Sequence, residues 1–126
     1  MPERTAIAIV EDNADNRLLV VALLEDDYDV VEFEDGTSAL AGLADSGARL
    51  VLLDISLPGM DGSEVLRGIR SDPALQALPV CALTAHAMSK DRERCTRVGC
   101  DGYLSKPIGR KQLISTCLQF ALGRAA

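Results

Sequence analysis

Four short apolar runs in this chain lead into polar residues of different chemical kinds. Glu11 and Asp12 follow Ala6-Ile7-Ala8-Ile9-Val10, Asp54 closes Leu50-Val51-Leu52-Leu53, Thr84 closes Val80-Cys81-Ala82-Leu83, and Lys106 comes shortly after Tyr103-Leu104. If these runs are neighbouring parallel strands, three carboxylates, a hydroxyl and an ammonium converge on one rim. That composition suits a metal and a phosphoryl group. Two carboxylates about 4 Å apart repel by about 1 kcal/mol in water and about 4 kcal/mol at an effective dielectric of 20, so three together need a cation. Oxygen ligands of this kind favour Mg²⁺.

The elements that would position these residues alternate in type along the chain. Strands are expected at 5–10, 29–33, 50–54, 80–83 and 102–104, dense in Val, Ile, Leu and Ala without strict alternation, as suits strands covered on both faces. Helices between them make an α/β domain with a parallel sheet. The first should start near Asn13, whose side chain can cap it, and turn Leu19, Ala22 and Leu23 inward. The second covers 37–44. The third follows Pro58-Gly59-Met60-Asp61-Gly62, with Asp61 or Ser63 as cap, Val65, Leu66 and Ile69 inward, and Arg67 and Arg70 in water. A fourth, at 89–98, is mostly charged. A fifth, at 110–122, repeats Leu113/Ile114, Cys117/Leu118 and Ala121/Leu122 before Gly123 stops it. Right-handed crossovers put the carboxyl ends of all strands on one edge.

With 126 residues, the chain is expected to form one domain over 1–126, its core spanning about 5–122. Nineteen acidic against thirteen basic residues give a net charge of −6, which repels a phosphate backbone, and aromatics at 3% leave little surface for stacking bases. Nucleic-acid binding is therefore not expected. No apolar stretch reaches membrane-spanning length, and Met1-Pro2-Glu3-Arg4 lacks a signal-peptide pattern, so a cytoplasmic protein with no membrane partner is expected. Cys81, Cys95, Cys100 and Cys117 include no C-x-x-C pair, and the lone His86 completes no zinc set, which favours free thiols.

Four motifs, Val10-Glu11-Asp12-Asn13, Leu53-Asp54-Ile55-Ser56-Leu57-Pro58-Gly59-Met60-Asp61-Gly62, Leu83-Thr84-Ala85-His86-Ala87-Met88 and Tyr103-Leu104-Ser105-Lys106-Pro107, resemble in order the receiver domains of two-component response regulators. The resemblance implies a flavodoxin-like, doubly wound sheet of five parallel strands in the order 2-1-3-4-5 with five helices. It implies that Asp54 accepts a phosphoryl group from a histidine kinase or histidine phosphotransfer protein. Asp12, Asp54 and the Ser56 carbonyl would bind Mg²⁺, with Glu11 helping through water. Lys106 and Thr84 would meet the phosphoryl oxygens, and Thr84 with Tyr103 would form a switch. The readout face, toward a downstream protein target, would be the fourth helix, last strand and last helix. Ser56 and His86 stand at positions that vary in the family and flank the path of hydrolytic water.

Two other functions compete. A Mg²⁺-dependent phosphohydrolase with an aspartyl-phosphate intermediate resembles D-x-D, and Ser56 stands where its general acid would be. A nucleotide-binding module needs a Gly-rich cradle where this chain has Glu11-Asp12. A stand-alone, non-enzymatic regulator is the expectation, with a receiver excised from a hybrid histidine kinase as the alternative; the Met1 start favours the former.

Overall fold

Strands β1 (Ala6–Val10), β2 (Asp29–Phe33), β3 (Ala48–Asp54), β4 (Val80–Thr84) and β5 (Gly102–Ser105) form one parallel sheet in the order β2-β1-β3-β4-β5. The computed structural model describes residues 5–54, 62–84, 100–105 and 109–119. Among these, four helices cross between or follow the strands: α1 (Ala14–Leu24), α2 (Gly36–Ser46), α3 (Gly62–Ser71) and α4 (Arg110–Cys117). The helix expected at 89–98 lies outside the described residues.

The period-2 alternation of a strand divides the core in two. Ile7, Ile9, Leu50 and Leu52 pack on one face with Val20 and Leu24 of α1 and Leu113 and Cys117 of α4. Ala8, Val10, Val51 and Leu53 pack on the other with Leu43 of α2 and Val65, Leu66 and Ile69 of α3. Because both faces of β1 and of β3 from Leu50 onward are covered, these stretches read as unbroken apolar runs, and no room is left there for a polar side chain until each strand ends. Asn13 caps α1 as expected, its Oδ1 accepting the Asn16 N–H at 3.0 Å. That cap fixes where β1 ends and where the loop of Glu11 and Asp12 turns.

Two expected helix faces are corrected. Val20 and Leu24 are the buried residues of α1, and Leu23 is partly buried, whereas Leu19 is 43% exposed and Ala22 faces solvent beside Leu18. From Leu18 to Leu24 every residue is apolar, so periodicity alone selects no face; the crossing between β1 and β2 does. At the end of α4, Leu118 of the expected apolar repeat is 51% exposed.

Arg70 also departs from its expected solvated place. Its guanidinium donates to the Gln76 and Leu78 carbonyls at 3.1 and 2.6 Å and pairs with Asp101 at 2.8 Å, while the same Asp101 oxygen accepts the Val80 N–H. One side chain thus ties the end of α3 to the entrances of β4 and β5. Arg70→Met is expected to lower stability by about 1 kcal/mol, because it takes the donor from the half-buried Leu78 carbonyl and breaks the more exposed bonds to Gln76 and Asp101; urea denaturation measures the change.

Cys81 and Cys117 are buried, Cys117 as a free thiol, and Cys100 is half-buried; Cys95 lies outside the described residues. Burial pushes the Cys117 thiol up from 9.0 to about 12. Its neutral form is therefore favoured by folding: the contribution is complete below the unfolded value and is lost as pH rises from about 9 towards 12. Cys117→Ala is expected to flatten the fall in melting temperature across that alkaline window.

Candidate functional site

The sheet register assembles the site. Val10 of β1 lies opposite Leu53 of β3, so the next residues, Glu11 and Asp54, emerge side by side. Asp54 in turn lies opposite Leu83 of β4, one residue before Thr84, and Thr84 lies opposite Ser105 of β5, one residue before Lys106. Neighbouring parallel strands stand about 4.8 Å apart, so this register alone brings the first two carboxylates within reach of one another. The edge is also where the chain reverses from building the sheet outward through β2 to building it through β3, the crevice in which open α/β sheets bind ligands.

Glu11, Asp12 and Asp54 each place a carboxylate oxygen within 4.8 Å of the others. Glu11 and Asp54 are only 1% and 4% exposed and are the buried charged residues among the described ones; Asp12 is exposed. At this spacing two ionised carboxylates repel by roughly 1 kcal/mol in water and roughly 3.5 kcal/mol at an effective dielectric of 20. A core that otherwise excludes charge does not collect three acids at one point for stability. The hard oxygen donors match the preference of Mg²⁺, and because two ligands of one such ion lie at most about 4.2 Å apart, the observed spread needs only a small adjustment or one bridging water.

The loop bearing the acids is held from several sides. The Glu11 N–H donates to the Phe33 carbonyl at 3.0 Å, and the Asn13 N–H points to Glu11 Oε2 at 3.4 Å. Arg17, in the first turns of α1, donates to the carbonyls of Glu11 at 2.7 Å and Asp12 at 3.2 Å. Sequence reading missed Arg17. Its only signal was spacing: a long cation one helical turn after a cap, on the helix that follows the acids.

Of the other expected site residues, Thr84 is the last residue of β4, at the expected edge. Tyr103 is half-buried on β5, opposite Ala82. Ser56, Lys106, His86 and the expected cap Asp61 lie outside the described residues. Among those described, no helix is long and apolar enough to cross a membrane.

A family model described as the response regulator receiver domain matches residues 7–117. The chain belongs to this family. Its sheet order and its fold are those of a receiver domain, and receiver domains are signalling modules of two-component phosphorelays. Relatives include the polar-differentiation response regulator DivK of Brucella anthropi, 38% identical over 88% of this chain and 91% of that protein. The sensor protein GacS of Pseudomonas syringae pv. syringae is 40% identical over 90% of this chain, which spans only 13% of GacS. Among solved structures, the receiver domain of sensor histidine kinase PA1611 from Pseudomonas aeruginosa PAO1, with a magnesium ion coordinated in its active site cleft, is 32% identical at a TM-score of 0.87, covering 94% of this chain and 98% of that one. Receivers of this family bind Mg²⁺ in the acidic cluster, and this chain has that cluster.

Proposed function

We propose that this receiver takes a phosphoryl group on Asp54 from the phosphohistidine of a histidine kinase or histidine phosphotransfer protein. A carboxylate oxygen of Asp54 forms a bond to phosphorus as the P–N bond to the donor imidazole breaks, and the freed ring nitrogen keeps the electron pair. One observation carries the reading: Asp54 is a buried carboxylate at a strand end, held within 4.8 Å of two other acids. Phosphoryl transfer demands positioning and neutralisation of equatorial oxygens more than covalent work, so a carboxylate is a sufficient nucleophile there. Mg²⁺, when bound, supplies positive charge to those oxygens. Asp12, Asp54 and the Ser56 carbonyl would hold it, with Glu11 acting through water.

Lys106 is assigned the second positive charge and Thr84 a hydroxyl donor to the phosphoryl group; Thr84 is the last residue of β4, and Lys106 is next in sequence after β5. Thr84 and Tyr103 form the switch, read by a downstream protein on a face that includes β5 and α4. The protein signals in the cytoplasm by this change of state and is not an enzyme. Similarity to DivK along nearly its whole length supports a free-standing regulator, and similarity to GacS supports a receiver within a larger sensor protein. Incubation with acetyl phosphate is expected to add the mass of one phosphoryl group in Mg²⁺ and none in chelator. A gain indifferent to Mg²⁺ would overturn the reading.

A further inference from the structure

Asp12 poses a mechanical problem. It is exposed, it sits on a loop, and two buried carboxylates push it outward, yet its oxygen stays within 4.8 Å of both. We infer that Arg17 is the positioning residue that solves it, by gripping the two consecutive carbonyls of Glu11 and Asp12. This inference rests on the Mg²⁺ site proposed above.

A guanidinium presents its donors in a rigid planar fork, so one nitrogen bonding two successive carbonyls fixes the orientation of both peptide planes and hence the directions in which the Glu11 and Asp12 side chains leave the backbone. The fork is itself held. Arg17 Nε lies 3.5 Å from Glu32 on β2, its side chain is only 17% exposed, and its own N–H donates to the Asn13 carbonyl at 3.0 Å within the cap of α1. The Glu11 N–H, bound to Phe33 two strands' width from Asp54, anchors the other side of the same loop. Glu32 and Phe33 are neighbours, so β2, the edge strand, braces the acidic loop through both contacts.

Electrostatics and positioning make opposite predictions. A positive charge behind a cation site opposes the cation, so removing it would tighten Mg²⁺ binding if charge were its only influence. Loss of a residue that orients metal ligands weakens binding, typically tenfold or more. Calorimetric titration of Mg²⁺ into the unphosphorylated protein separates the two. R17A is expected to bind about tenfold more weakly than wild type, and R17K about threefold more weakly, since an ammonium donates to carbonyls without the planar fork. E32Q, which leaves the carbonyl bonds in place, is expected within about twofold of wild type. Mg²⁺ affinity of R17A equal to or tighter than wild type, with or without a drop in melting temperature, overturns the inference. Should R17A fail to fold, R17K decides: wild-type affinity overturns the inference. Wild-type protein that binds no Mg²⁺ overturns the site itself and the inference with it.

Discussion

Asp54→Asn is expected to end phosphoryl acceptance while leaving the domain folded. The amide keeps the shape of the carboxylate at the end of β3 but cannot attack phosphorus, so the rate with a small phosphodonor should fall at least about a thousandfold, a barrier increase of about 4 kcal/mol. In the proposed reaction Thr84 and Lys106 would act on the phosphoryl group already in transit, so their loss is expected to slow the reaction without removing its acceptor. Quench-flow measurement of the labelled protein distinguishes these outcomes. Wild-type incorporation by D54N would show that phosphorus is accepted elsewhere.

The second large effect concerns stability and has an unusual sign. Most substitutions of a residue that touches its neighbours destabilise. Asp12→Asn is expected to stabilise the metal-free protein by about 1–2 kcal/mol, because it removes repulsion with two carboxylates within 4.8 Å, and the low end applies since Asp12 is exposed. Mg²⁺ at a hundred times its dissociation constant stabilises a one-site protein by about 2.7 kcal/mol, worth roughly 10 °C in melting temperature for a domain of this size. D12N should lose most of that gain. Thermal unfolding of both proteins in chelator and in Mg²⁺ gives all four values, and a D12N protein less stable than wild type in chelator would contradict the repulsion on which the cation site is argued.

Much of this architecture is legible before any coordinates. β1 and β3 announce themselves as apolar runs ending in acids because strands covered on both faces have no polar side until they leave the sheet. The meeting of Glu11, Asp12 and Asp54 follows from parallel strands ending at one edge, and the structure bears it out at 4.8 Å. The strand order came from family resemblance, since periodicity says nothing about which strands are neighbours. What escaped reading depends on long-range packing. A run such as Leu18–Leu24 contains no polar stripe to mark its outer face, so nothing in it distinguishes the exposed Leu19 and Ala22 from the buried Val20 and Leu24. Arg17 and Arg70 look like ordinary solvated cations in the sequence; their carbonyl partners are set by how a loop passes beneath them, which residue spacing does not encode.

The sharpest test locates the phosphoryl group by chemistry. Protein phosphorylated with acetyl phosphate in Mg²⁺ is reduced with borohydride, which converts an aspartyl phosphate to homoserine, and is then digested and sequenced by mass spectrometry. Homoserine is expected at position 54 and nowhere else, and none when Mg²⁺ is withheld. Homoserine at position 12, or phosphorus retained on a serine, threonine or histidine with Asp54 intact, would contradict this assignment.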